Sequence, residues 1–188
     1  QRLAVCCARG GMRSLSVVNL LTAAGFNACQ LRGGYKAYRQ DVLERLNNFS
    51  PRLIVIHGLT GTGKTRILQR LPQAIDLEEL AGHRSSLFGG LDRRPSTQRT
   101  FESLLAERIG TLGAEPYFIE GESRKIGRVF IPKPLALAMK QAVLVNIHCS
   151  LATRIARIIE DYPVTDEGTL LEMETILRSL KQKMGAEQ

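Results

Sequence analysis

Apolar residues in this chain gather in short runs separated by longer stretches of three-to-four spacing, the pattern of strands alternating with helices. Leu3 to Cys7 is a short run of β-preferring character, followed by the glycine-rich stretch Ala8-Arg9-Gly10-Gly11. From near Arg13 the positions Leu15, Val18, Leu20 and Leu21 predict a helix, which Gly25 ends. Ala28 to Leu31 predicts a second strand, Gly33-Gly34 a turn and Tyr35 to Leu46 a second helix. The turn-rich Asn47-Asn48-Phe49-Ser50-Pro51 then marks a domain boundary, giving units 1–50 and 51–188.

The second unit opens on Leu53-Ile54-Val55-Ile56, a continuous apolar run that suits the interior of a parallel sheet. A glycine-rich loop and a helix to about Leu71 follow, then a short strand from Ala74 to Leu77. Residues 82–96, rich in Gly, Ser, Arg and Pro, predict a long functional loop. Thr97 to Ile109, Leu151 to Ile159 and Gly168 to Lys181 read as helices, and Tyr117 to Glu120 and Ala142 to Ile147 as strands. Alternation of this kind predicts α/β architecture with a mainly parallel sheet.

Composition narrows the class. The 188 residues are 44% hydrophobic and 23% charged, globular values, with no apolar run long enough to span a bilayer. Twenty-six Lys and Arg against 18 Asp and Glu give +8, and residues 1–50 carry +5 of it. That excess points to an anionic partner, nucleic acid or a phosphorylated small molecule. Four cysteines are too few for a disulfide scaffold in a chain of this length, and no signal-peptide pattern precedes them, so the expected compartment is the cytoplasm.

The strongest motif is Gly58-Leu-Thr-Gly61-Thr-Gly63-Lys64-Thr65, which satisfies the phosphate-loop pattern between an apolar strand and a helix. Its glycines let successive backbone N–H groups face a phosphate, and the helix start adds positive potential. Lys64 supplies a mobile charge, and the Thr65 hydroxyl is placed to complete a Mg²⁺ shell. The motif predicts a bound phosphate or diphosphate; it does not require ATP. No protein metal-ligand set is assigned.

Asp76, Glu78, Glu120 and Glu122 fall at strand ends, where ligands of parallel sheets sit, and Glu120 is the candidate for a metal-orienting or base role. Arg84, Arg93, Arg94 and Arg99 form one basic group and Arg124, Lys125, Arg128 and Lys133 another, suited to clamping anions. Arg154 and Arg157 share a helix face that either reaches inward or lies on the surface. His83 lies in a polar loop as a ligand contact, whereas His57 and His148 adjoin strands and read as core residues.

Cys7 ends a strand, with Arg13 six positions later at a helix start. Such a loop wraps its backbone N–H groups around the sulfur, the helix dipole adds to them, and both lower the thiol pKa, which makes Cys7 a nucleophile. Cys6 reads as packing, and Cys29 and Cys149 as inert buried thiols. The C-x5-R spacing is shared by protein tyrosine phosphatases and rhodanese-like sulfurtransferases.

The stretch C-x-R-G-G-M-R-S from Cys7, then R-G-G-Y-K-A-Y-R (Arg32 to Arg39) and the phosphate loop, resembles the tRNA 2-selenouridine synthase family. Further matching stretches are Ile75 to Glu78, Ala81 to Gly89 and Glu120 to Gly127. The resemblance implies the C-terminal part of a rhodanese-like domain followed by a P-loop domain, itself short at its C-terminal end. It implies an enzyme replacing the sulfur of wobble 2-thiouridine in tRNA with selenium. Selenophosphate and geranyl diphosphate would be co-substrates, and an S-geranylated nucleoside the intermediate. Cys7 and Arg13 would be catalytic, Arg9, Gly10, Gly11 and Gly58 to Thr65 would bind phosphate groups, and His83, Arg84, Glu120, Arg124, Lys125 and Arg128 would contact substrate or the anticodon loop. With the first part of the rhodanese domain absent, an exposed sheet edge and a poorly organised Cys7 are expected. The alternatives are a small-molecule kinase or NTPase, a C-x5-R phosphatase, which lacks a clear general acid here, and a non-catalytic RNA-binding module.

Overall fold

A computed structural model describes residues 2–84, 94–164 and 166–183. The chain divides into two compact units, Gln1–Phe49 and Ser50–Gln188.

In the first unit, β1 (Leu3–Val5) pairs in parallel with β2 (Ala28–Gln30), and α1 (Met12–Ala23) connects them. The helix α2 (Gly34–Asn47) follows and buries Val42 and Leu46 one turn apart, the spacing that keeps both on one face. β1 stops at Val5, two residues earlier than the apolar run predicts, because the backbone beyond it turns into the cysteine loop. Cys6 is therefore exposed, which corrects its reading as a packing residue.

The second unit is built on a four-stranded parallel sheet in the order β4 (Ala74–Ile75), β5 (Tyr117–Glu120), β3 (Leu53–His57), β8 (Val143–Asn146). Register sets Ile56 beside Glu120 on one side and Val145 on the other. Val55 and Ile56, on opposite faces of β3, are both buried, as a strand covered on two sides requires. Ile56 packs with Leu68 of α3 (Lys64–Leu68), Ala74 and Phe118, while α6 (Lys133–Lys140) packs on β3 and buries Leu135. Phe101 and Leu105 of α5 (Gln98–Thr111) and Leu77 of α4 (Leu77–Ala81) complete the interior.

Several elements depart from the sequence reading. Asp76 ends the strand early: its side chain accepts from the Glu79 amide at 2.8 Å, so Leu77 begins α4 instead of closing β4. The hairpin of β6 (Lys125–Ile126) and β7 (Val129–Phe130) turns through Gly127 at φ 54° and has strands too short to show a period. α7 (Leu151–Asp161) and α8 (Glu167–Lys183) lie where predicted and run two residues further. His57 and His148 are exposed rather than core, because β3 and β8 run out at the open end of the sheet. Cys29 and Cys149 are half-buried, not enclosed. Of the predicted loop 82–96, residues 85–93, Arg93 among them, lie outside the described residues. No described helix is long and apolar enough to cross a membrane.

Candidate functional site

Two sites emerge, one in each unit. In the first, the chain leaves β1, passes Cys7 and enters α1, whose N-cap is Gly11. The Gly11 amide donates to Cys7 Sγ at 3.3 Å, and Ser14 Oγ lies 3.2 Å from the sulfur. Cys7 is held near 6, well below an ordinary thiol, first by the Ser14 hydroxyl and then by the amides of Arg9 and Gly11. At neutral pH the sulfur is therefore largely thiolate, the form that attacks.

Ser14 is buried, and its orientation is set from a neighbouring strand. Gln30, on β2, donates through Nε2 to Ser14 Oγ at 2.8 Å and to the carbonyls of Gly10 and Gly11 at 2.9 and 3.0 Å. Holding those carbonyls away from the sulfur leaves the amides facing it. The second glycine motif completes the frame. Tyr35 and Lys36 amides, opening α2, donate to the Cys7 and Ala8 carbonyls at 2.9 and 3.0 Å. A Cβ on Gly34, at φ 64°, would run into the Cys7 carbonyl and the Gly10 amide. The expected disorganisation of Cys7 is thus corrected: hydrogen bonds from β2 and α2 fix its loop. Arg13 is exposed in the first turn of α1, and Arg9 is exposed beside it; neither side chain figures among the described hydrogen-bond partners of the sulfur. Ser14 and Gln30 are the residues that sequence reasoning missed. Ser14 stood next to Arg13 in the motif, but a glutamine on a short strand carried no signal of its own.

In the second unit, the loop from Gly58 to Gly63 links β3 to α3, with Gly61 and Gly63 at φ 81° and 92°. Lys64 Nζ donates to the Gly58 carbonyl at 2.9 Å, folded back over the loop. Thr62 is buried and donates to the Leu59 carbonyl at 2.8 Å. Helix α3 spans five residues, shorter than the predicted run to Leu71, so a bound anion would rest on loop amides and cationic side chains. A pocket of about 250 Å³ lies above it, lined by Lys64, Thr65, Arg66, Glu78, Arg84 and Glu122 among others.

Helix α7 braces this loop, resolving the open reading of its arginines in favour of the inward one. Arg157 Nη1 donates to the Thr62 carbonyl at 2.6 Å and Arg154 Nε to the Thr60 carbonyl at 2.9 Å. A Cβ on Gly63 would meet Arg157 Nη1 at 2.8 Å, so glycine there admits the brace. Arg66 pairs with Glu160 and Asp161, and Arg84 donates to the Asp161 carbonyl while covering the Tyr162 ring. Arg94 and Arg99 are exposed, as are Arg124, Lys125 and Arg128. Lys125 lies over the Phe130 ring at 5.7 Å. His83 packs against Gly127, its Nδ1 buried without a hydrogen-bond partner.

Glu120 is completely buried at the end of β5, and neither carboxyl oxygen has a hydrogen-bond donor. Burial first, then the neighbouring Asp76 carboxyl and the charges of Glu78 and Glu122, push it up to about 10. One ligand oxygen each from Glu78, Glu120 and Glu122 lie within 4.8 Å of one another. Three carboxylates at that spacing beside Thr65 suit a hard divalent cation, which would supply the donor-free oxygens with their missing partner.

Comparison with known proteins supports the family resemblance. Residues 51–185 match the sequence profile of the tRNA 2-selenouridine synthase AAA domain. The tRNA 2-selenouridine synthase of Proteus mirabilis (strain HI4320) is 40% identical over 163 residues, covering 84% of this chain and 44% of that protein. That of Pseudomonas syringae pv. syringae (strain B728a) is 34% identical over 200 aligned positions, covering 96% and 55%. The pv. tomato relative (strain ATCC BAA-871 / DC3000) is 39% identical over 163 residues, again covering 84% and 44%. The chain thus spans about half the length of the curated relatives it matches. No solved structure matches it. With a profile match over most of its length and three relatives at 34–40% identity, the chain belongs to the tRNA 2-selenouridine synthase family.

Proposed function

We propose that this chain forms the core of a cytoplasmic transferase that exchanges the sulfur of wobble 2-thiouridine in tRNA for selenium. The observation that carries the reading is the pairing, in one chain of this family, of a thiolate loop with a separate phosphate loop. Two chemical steps need two such sites. In the first, the 2-thio sulfur attacks C1 of geranyl diphosphate; the S–C bond forms, the C–O bond breaks, diphosphate leaves with the electron pair, and the N3 proton of the base passes to solvent. The Gly58–Thr65 amides, together with Lys64, Arg66 and Arg84, which line the pocket over the loop, would take up that charge. A Mg²⁺ ion on Glu78, Glu120 and Glu122 would further neutralise the leaving group. In the second, selenium from selenophosphate takes carbon 2 as geranyl thiol departs, and hydrolysis releases phosphate. Cys7, with the first unit read as the C-terminal part of a rhodanese-like domain, engages the selenium or its phosphate in the ring of Arg9, Gly10 and Gly11. The anticodon loop is single-stranded, so its wobble base can be splayed into a pocket while basic surface holds the backbone.

The test is nucleoside mass spectrometry of 2-thiolated tRNA incubated with the full-length protein, geranyl diphosphate and selenophosphate. The proposal expects 2-selenouridine; unchanged 2-thiouridine overturns it. A second reading, a P-loop kinase or NTPase, is favoured by the acidic cluster beside Thr65 and expects Mg²⁺-dependent ATP turnover without tRNA.

A further inference from the structure

One feature of the second unit is used by neither step as described. A cavity of about 500 Å³ opens on the face of the sheet that carries Val55 and His57, against α6. Its volume falls in the range of small-molecule sites, roughly 300–1,000 Å³. The walls are Val55, Ile131, Ala136, Leu137, Met139 and Leu144. Val55 and Ile131 are buried, but Leu137 and Leu144 are 48% and 66% exposed, so an apolar wall stands open to water. Arg124, Lys133 and Lys140 also line it, and among the described residues none of the three forms an ion pair. Greasy walls with unpaired cations suit an amphiphile with an anionic end.

The position of the cavity says where that anionic end goes. Glu122 lines both this cavity and the pocket over the phosphate loop. His57, also in the lining, is the residue immediately before Gly58. Because Val55 and His57 face one side of β3 and Ile56 the α3 side, cavity and phosphate loop lie on opposite faces of the sheet. They meet over its C-terminal edge.

We propose that this cavity receives the hydrocarbon chain of a ligand whose phosphate occupies the Gly58–Thr65 loop, an alkyl or prenyl diphosphate lying over the sheet edge past Glu122. The inference rests on the reading of geranyl diphosphate as the donor, and gives that donor's chain a place. Arg124, Lys133 and Lys140 add the long-range positive potential that steers an anionic ligand toward this edge, and the bound chain covers Leu137 and Leu144.

The experiment is titration calorimetry of the full-length protein with inorganic diphosphate, dimethylallyl diphosphate and geranyl diphosphate. Each methylene buried is worth about fourfold in affinity, so geranyl diphosphate should bind about 100-fold or more tighter than the five-carbon compound. Ala136→Trp fills the cavity and Leu144→Asn makes its open wall polar; the second, at an exposed position, guards against a folding failure of the first. Both should erase most of the chain-length gain and leave inorganic diphosphate binding as in the parent. A parent that binds all three diphosphates equally, or variants that keep the full chain-length gain, overturn the assignment. Geranylation of tRNA, read separately, distinguishes the two failures. Product formed with a chain-length gain that neither variant reduces overturns the cavity and leaves the donor reading standing. A gain lost in the variants, with no geranylated tRNA from the parent, supports the cavity and overturns the donor reading.

Discussion

Cys7 owes its chemistry to neighbours rather than to depth. Its loop leaves it half-buried, and the Ser14 hydroxyl with the amides of Arg9, Gly11 and Ser14 stabilises the thiolate against the modest penalty of that burial. The alkylation rate of Cys7 by iodoacetamide, followed by peptide mass spectrometry to separate it from the other cysteines, should titrate with a midpoint near 6. In Ser14→Ala the midpoint should move up toward the ordinary thiol value of about 8.5; an unmoved midpoint would remove Ser14 from the account. Glu120 is the opposite case, a carboxyl raised to about 10 by burial among other acids. The folded chain keeps a proton there that the unfolded chain loses near 4.5, so stability is greatest below about pH 4.5 and falls as pH rises toward 10. In a chelating buffer, Glu120→Gln should melt higher than the parent at pH 8, with the gap closing by pH 5. Parallel melting curves across that range would contradict the assignment. Adding Mg²⁺ should stabilise the parent more at pH 8 than at pH 6, because the cation replaces a proton held more weakly at high pH.

At the scale of elements, each glycine loop is stabilised by a helix that sequence alone does not bring to it. The amides opening α2 bond the cysteine loop, and α7 reaches the phosphate loop with two arginines. Arg157 contacts loop carbonyls, so its removal should loosen the amide cradle without deleting a direct phosphate contact. Inorganic diphosphate affinity in Arg157→Ala should fall about tenfold, as expected when one charged hydrogen bond of about 1.5 kcal/mol is lost; an unchanged affinity would make the brace incidental. The strand β3 and the phosphate loop were legible because a continuous apolar run followed by glycines has few other readings. α4 and the β6–β7 hairpin were not, since elements of two to five residues hold no measurable period. α6 was missed although Pro132 and Pro134 announce its start and Leu135 and Ala138 stand three apart. The inward reach of Arg154 and Arg157 was legible only as a shared face, because the helix that bears them is far in sequence from the loop it touches.

For the whole molecule, the order of motifs was more informative than any one of them: a thiolate loop, its glycine partner, then a phosphate loop. That order follows two folded units, one with a backbone amide facing a sulfur and one carrying the phosphate-loop motif. What the sequence could not show was the support beneath the sites, Gln30 under the cysteine and the buried Glu120 beside the phosphate loop, because both depend on strand register. The central claim is that the two loops serve successive steps. The measurement that tests it most directly is the nucleoside profile of 2-thiolated tRNA after reaction with full-length Cys7→Ser and Lys64→Ala proteins, with geranyl diphosphate and selenophosphate both present. Cys7→Ser should accumulate S-geranylated uridine and form no selenouridine. Lys64→Ala should slow geranylation about 100-fold, the effect of removing one positioned charge-stabilising donor, and still convert pre-geranylated tRNA to selenouridine. Loss of both steps in each variant, or selenation that survives without Cys7, would contradict the division.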